Sequence, residues 1–361
     1  MGKNTNTRNG LIDLQRFVFA LMIVFLHMKN YGETILPNGN IAVEFFFILS
    51  GYLIASKADK YKGNGLWNDN IRFTLKKILG IFPFLLISVL FGSLLYTVLF
   101  SSSGRFLNDF LLASVDFLSV QMFGFRGIVV SGVSWYLSVL FLCSFVLFPV
   151  LVKHRDVFVK YLAPVIVLFL YGYIAKIDGS LHVNGQWYGF VYSGMIRGIA
   201  AISLGTITYE VRRKIDSMEV GKLGKVGICA SPIVIIVLAF VYARSSCEYD
   251  TYGFMFIPLM ALLVATSFSK NNVLASSLGG RVSSFLGKFS LSIYLCHYYI
   301  ASLLPALIDI NGRMTILIYL GIVFVTATFN YIIGNLIINR KTRYATIIGI
   351  VILLVLVLVV V

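Results

Sequence analysis

Apolar residues come in long uninterrupted runs along this chain, with short polar stretches between them. Eleven runs are long enough to cross a hydrocarbon core of ~30 Å as helices. They lie at roughly 11–29, 41–57, 76–100, 133–152, 159–176, 188–209, 224–243, 252–269, 285–308, 314–338 and 343–361. The pattern predicts an all-α, polytopic membrane helix bundle. No internal repeat or added soluble domain interrupts it, so residues 1–361 read as one membrane-embedded domain.

Two early runs carry ionisable groups that membrane helices normally avoid. The first holds Arg16 near its start and His27 near its end; the second holds Glu44 in its first turn. At about 100° per residue, the spacing from Arg16 to His27 is three turns plus roughly 20°, which puts both on one helix face. Along the axis they are roughly 16 Å apart, about half the hydrocarbon thickness. The short connection at 29–40 makes the two helices antiparallel neighbours and predicts His27 and Glu44 at similar depth, within reach of each other. Charges at depth are costly and usually mark a site. A histidine beside a carboxylate suits a general base at neutral pH; the plainer alternative is an interfacial Glu44 and a snorkelling His27. Arg197 sits mid-run among Gly194, Gly198 and Gly205, which permit close packing. It reads either as a partner for Glu44 or as a group that holds substrate. Ser50 and Gly51 suggest a close helix contact, and Phe45, Phe46 and Phe47 read as lipid-facing.

Composition agrees with a bilayer protein: 58% hydrophobic, 12% charged, and a mean hydropathy of +0.89. The net charge of +15 raises the question of nucleic acid, which the distribution of basic residues answers. Of the 30 Lys and Arg, 23 fall on alternate connections that share a side with the N-terminus, six on the other side, and Arg197 within a run. That bias places the N-terminus in the cytoplasm and needs no nucleic-acid partner. His27 and Glu44 then lie toward the outer face, Arg16 toward the inner one, and Lys76 and Lys77 at the inner mouth of the third helix. The four cysteines lack CxxC or metal-ligand spacing, so neither a disulfide framework nor a metal site is expected. The first run has an internal arginine and no small-residue cleavage pattern, and reads as a retained anchor. Residues 101–132, with Asp109 and Asp116, suggest an amphipathic piece on the outer surface. The polar stretch 177–187, with Asp178, His182, Asn184, Gln186 and Trp187, is an outer loop.

Arg16, His27 and the stretch IAVEFFFILSGYLI at 41–54 together resemble the opening signature of acyltransferase family 3. Two later stretches agree: SWYLSV at 134–139 is similar to the family's W-x-L-x-V helix, and LGKFSLSIYLCH at 286–297 to its G-x-x-S-x-x-x-Y-L-x-H element. The resemblance covers about residues 10–338, a ten-helix core, leaving 343–361 as an extra eleventh helix. It implies an integral enzyme of the bacterial cytoplasmic (inner) membrane that O-acylates surface glycans, with acetyl-CoA as co-substrate and a polysaccharide or glycolipid as acceptor. His27 is then the base, Glu44 orients its imidazole, and Arg16 holds the acyl–pantetheine arm. Lys76 and Lys77 supply positive charge at the donor mouth, where the family's R-x-x-R pair is replaced by Lys77 and Gly80; a lysine lacks the guanidinium fork that suits phosphate. The acidic residue that often follows W-x-L-x-V is replaced by Leu140. Trp135 reads as an interfacial anchor or a sugar-stacking ring. Tyr294 and His297 read as a second polar wall of the cavity, or His297 as a hydrogen-bonded core histidine. No GxSxG elbow is present, which favours direct transfer over an acyl-serine intermediate. Two other classes share the composition: a transporter, which predicts inverted repeats and broken helices, and a non-catalytic polysaccharide-export subunit.

Overall fold

The computed structural model describes residues 9–30, 33–100, 113–125, 130–245, 251–307 and 312–339. The proposed eleventh helix at 343–361, Asp109, and much of the 101–132 segment lie outside the described residues.

Those residues form a helical bundle with two small hairpins. In chain order it contains α1 (Gly10–His27), a hairpin of β1 (Lys29–Asn30) and β2 (Glu33–Thr34), α2 (Ile41–Asp59) and α3 (Leu66–Phe100). There follow the short α4 (Ser114–Phe117), then α5 (Trp135–Val157) and α6 (Ala163–Ile177), a second hairpin of β3 (Trp187–Tyr188) and β4 (Val191–Tyr192), and α7 (Ser193–Ser217). The last elements are α8 (Lys222–Ala243), α9 (Phe256–Ser267), the short α10 (Leu274–Ser277), α11 (Arg281–Leu307) and α12 (Arg313–Asn339). Six helical spans among the described residues are long and apolar enough to cross a membrane. Large apolar side chains face outward on α6 (Leu168, Phe169), α8 (Val237, Val241) and α12 (Leu317, Val325), as a lipid-facing surface requires.

Local chemistry sets several boundaries. The Asn9 side chain accepts the Ile12 amide at 3.1 Å and caps α1. The third helix begins ten residues before its apolar run because its first turns are amphipathic: Trp67 and Arg72 are exposed while Asn70 and Thr74 are buried. At 35 residues it is about 52 Å long, well beyond a hydrocarbon core. The chain turns sharply at His154 (φ −131°, ψ 35°), and a π-helical turn, Phe158–Leu162, leads into α6.

Helix α2 runs through the middle of the bundle. It packs chiefly on α7 and also on α5 and α9, whereas α1 packs chiefly on α11. Backbones meet where α2 crosses α7: a Cβ on Gly51 would fall 2.0 Å from the Ile202 carbonyl oxygen, and one on Gly205 2.2 Å from that of Ile48. Phe45 and Phe47 are 0% exposed, which corrects the lipid-facing expectation: a central helix has no lipid face. Helices α1 and α2 do touch, with Phe19 stacked on Phe45 at 4.4 Å.

Opposite ends of the bundle are held by polar networks. Where α2 ends, Arg155 of α5 bridges Asp59 and Glu210, and the Tyr209 hydroxyl donates to Asp59 at 2.7 Å. At the other end, buried Asp116 accepts the Val130 amide (2.6 Å), the Ser131 amide (2.8 Å), the Ser134 hydroxyl (2.6 Å) and the Gln121 amide (2.6 Å). Burial pushes its carboxyl upward in pKa and these four donors oppose the shift. The result ties residues 130–134 to α4 at the start of α5.

Candidate active site

Helix α1 delivers Arg16 and His27 to two different cavities. The larger, about 390 Å³, is walled mostly by apolar side chains of α1, α2, α3, α5 and α11, with Arg16, Lys77, Ser50, Tyr136 and Ser290 as its polar groups. The smaller, about 50 Å³, is lined by His27, Asn40, Trp135, His182, Asn184 and Arg197. Ile23, Val43 and Tyr294 line both. Arg16 and His27, on one helix, thus line neighbouring compartments.

In the larger cavity, Arg16 lies 3.8 Å from Asp13, one turn earlier. Lys77 donates to Ser144 Oγ at 2.8 Å and stands 5.1 Å from the centre of the Phe73 ring. Lys76 points away from the cavity and is exposed, so only one member of the expected lysine pair reaches it. Gly80, in place of the family arginine, is also exposed. The Tyr136 hydroxyl sits 2.8 Å from Ser50 Oγ and donates to the Phe46 carbonyl at 3.1 Å.

Glu44 is fully buried and is claimed from two sides. Arg197 Nε donates to its Oε1 at 2.6 Å and the Tyr171 hydroxyl donates to Oε2. Arg197 also donates to the carbonyls of Asn40 (2.8 Å) and Val183 (3.4 Å). No hydrogen bond joins Glu44 to His27 among the described residues; the partners of the carboxylate are Arg197 and Tyr171. The guanidinium of α7 holds the carboxylate instead, offering it a full opposite charge. Of the two readings of Arg197, the ion pair with Glu44 is present, and its side chain lines the small cavity as well. Tyr171, in the apolar run of α6, gave no sequence signal; Asn40, just ahead of α2, was passed over as a helix boundary.

His27 instead faces aromatic rings: His297 at 5.3 Å between centroids and Tyr298, edge-on, at 5.0 Å. His297 Nδ1 lies 2.8 Å from the Tyr294 carbonyl oxygen and 3.3 Å from that of Ile293. A ring nitrogen between two acceptors carries the proton, so Nε2 holds the lone pair. That Nε2 is buried and has no hydrogen-bond partner among the described residues. The core-histidine reading of His297 is therefore met on one nitrogen, while its ring stands next to those of His27 and Tyr294. Trp135 is 6% exposed and packs on Phe47 at 5.6 Å, with its ring at the small cavity. No cluster of metal-ligating side chains occurs among the described residues.

The chain matches the acyltransferase domain family over residues 9–361. Proteins of Staphylococcus aureus named "Putative O-acetyltransferase", from strains COL, MSSA476 and MRSA252, are each 21% identical to it over 350 residues. These alignments cover 89% of this chain and 56% of each relative, so the chain spans little more than half their length. No solved structure matches the chain. Over nearly all of its length, then, this chain belongs to the acyltransferase domain family, acyltransferase family 3.

Proposed function

We propose that the protein is a membrane O-acetyltransferase that moves an acetyl group from cytoplasmic acetyl-CoA to a hydroxyl of a cell-surface or exported glycan. One observation carries this reading: a single helix places a cation, Arg16, in a roomy apolar cavity and an imidazole, His27, in a small one that holds several polar side chains and shares three lining residues with the first. In this reading the bundle spans the bacterial cytoplasmic membrane with its N-terminus inside. The larger cavity then takes the pantetheine arm, and the smaller one meets the acceptor.

The chemistry needs a base, a stabiliser for the oxyanion and a fixed approach. His27 takes the proton from the acceptor hydroxyl as its oxygen attacks the thioester carbonyl. The oxyanion is met by polar donors of the small cavity, Asn40, Asn184 and the Arg197 guanidinium edge. Collapse of the tetrahedral intermediate breaks the carbon–sulfur bond, and the departing thiolate receives the proton held on His27. Arg16 and Lys77 attract the anionic donor. Glu44 contributes through Arg197, which it holds against α2. The relatives' names support acetyl transfer, and the basic residues facing the large cavity support a phosphate-bearing donor.

The test uses membranes carrying the protein, labelled acetyl-CoA and the host's own glycan, with mapping of the ester formed. His27→Ala should accumulate in the membrane like the parent and form no labelled ester. Normal ester formation in that variant would refute the assignment.

A further inference from the structure

We propose that Tyr294, with Ile23 and Val43, is the partition between the two cavities and sets the length of the acyl group that the protein passes. The inference rests on the donor and acceptor reading above. Those three residues are the ones that face both compartments.

Tyr294 is held by three neighbouring rings and by its hydroxyl. Its ring lies 6.0 Å from Tyr136, edge-on, 6.3 Å from Phe46 and 5.9 Å from His297. Its hydroxyl donates to the Val133 carbonyl at 2.9 Å. That carbonyl belongs to the loop whose amides at Val130 and Ser131 are bound by Asp116. Beside it, Gly132 (φ 63°) presses on Tyr298, where an added Cβ would fall 2.0 Å from a ring carbon. A ring held by three aromatic neighbours and by anchored backbone at its tip is a wall rather than a loose flap.

Geometry then limits the donor. Sulfur arrives from the larger cavity, so the acyl tail, on the far side of the carbonyl, enters the smaller one. At about 50 Å³, against roughly 10–15 Å³ needed for one water, that space takes about four water-sized groups. An acetyl group fits with room left for the acceptor hydroxyl, and each further methylene takes space from that hydroxyl or from the Tyr294 ring.

The test compares purified wild type, Tyr294→Ala and Tyr294→Phe in nanodiscs. Transfer is measured from acetyl-CoA and butyryl-CoA, and binding from the non-transferable thioethers S-ethyl-CoA and S-butyl-CoA. Wild type should prefer the two-carbon form in both measurements. Tyr294→Ala should raise the four-carbon to two-carbon ratio at least tenfold, whereas Tyr294→Phe, which keeps the ring, should leave the ratio within about twofold. Val43→Ala, which shaves the same wall from α2, should move the ratio in the same direction and substitutes for Tyr294→Ala if that variant does not fold. Both thioethers bound with an unchanged ratio in Tyr294→Ala and Val43→Ala would overturn the partition's role while leaving the donor cavity standing. Binding of neither thioether to wild type would remove the donor reading and this inference with it.

Discussion

Removing the charge of Glu44 while leaving Arg197 in place is the most informative perturbation of the bundle. At about 4 Å and an effective dielectric constant near 20, two unit charges attract by roughly 4 kcal/mol. Desolvating each ion costs several kcal/mol, so the intact pair nets little, whereas half of it is a liability. Glu44 is 0% and Arg197 2% exposed, so neither charge reaches bulk solvent when its partner is removed. Glu44→Leu would leave the guanidinium with two carbonyls as its acceptors and take from the Tyr171 hydroxyl its carboxylate partner. We expect a loss of about 3–5 kcal/mol. Arg197→Met should cost a similar amount, but the combined Glu44→Leu and Arg197→Met variant should lie within about 1–2 kcal/mol of the parent, because both charges are then gone. The assay is equilibrium unfolding in mixed micelles against rising SDS, analysed as a double-mutant cycle. Losses that add to within about 0.5 kcal/mol would refute the clamp and return Glu44 to other work.

Other expectations follow from the same geometry. Lys77→Ala should raise the apparent KM for the donor about tenfold with the acceptor KM unchanged, since a bond to a charged group is worth about 1.5–3 kcal/mol; Lys76→Ala, outside the cavity, should change neither in steady-state kinetics. Gly51→Ala drives a methyl into the Ile202 carbonyl and should cost at least about 2 kcal/mol in the same micelle titration, whereas Gly80→Ala, with nothing within 4 Å, should be close to neutral. Asp116→Ala strips the amides of Val130 and Ser131 of their acceptor, so hydrogen exchange at those two positions should accelerate at least tenfold while exchange in α2 stays unchanged.

Hydropathy and helical phase carried the sequence reading a long way. The bundle, most helix positions, and the placing of Arg16 and His27 on one helix all follow from periods of 3.6 and lengths near 20 residues. What they do not carry is which helix lies beside which. The loop at 29–40 made α1 and α2 neighbours in sequence, yet their main partners are α11 and α7, and this is why Glu44 meets Arg197 rather than His27. Neighbours from distant sequence also explain Phe45 and Phe47, whose apolar character suits lipid and core equally. The start of α3 was hidden for another reason: a window tuned to apolar runs passes over amphipathic turns. The partition was out of reach of the sequence, because Ile23, Val43 and Tyr294 come from three separate helices and only packing unites them.

The glycine crossing of α2 and α7 has one more implication. With main chains in direct touch at Gly51 and Gly205, no side-chain cushion lets one helix slip past the other. A carrier that shows its site to each side of a membrane in turn needs a seam that gives. Here the segments bearing Glu44 and Arg197 are held backbone to backbone, so any movement of α2 carries the facing stretch of α7 with it.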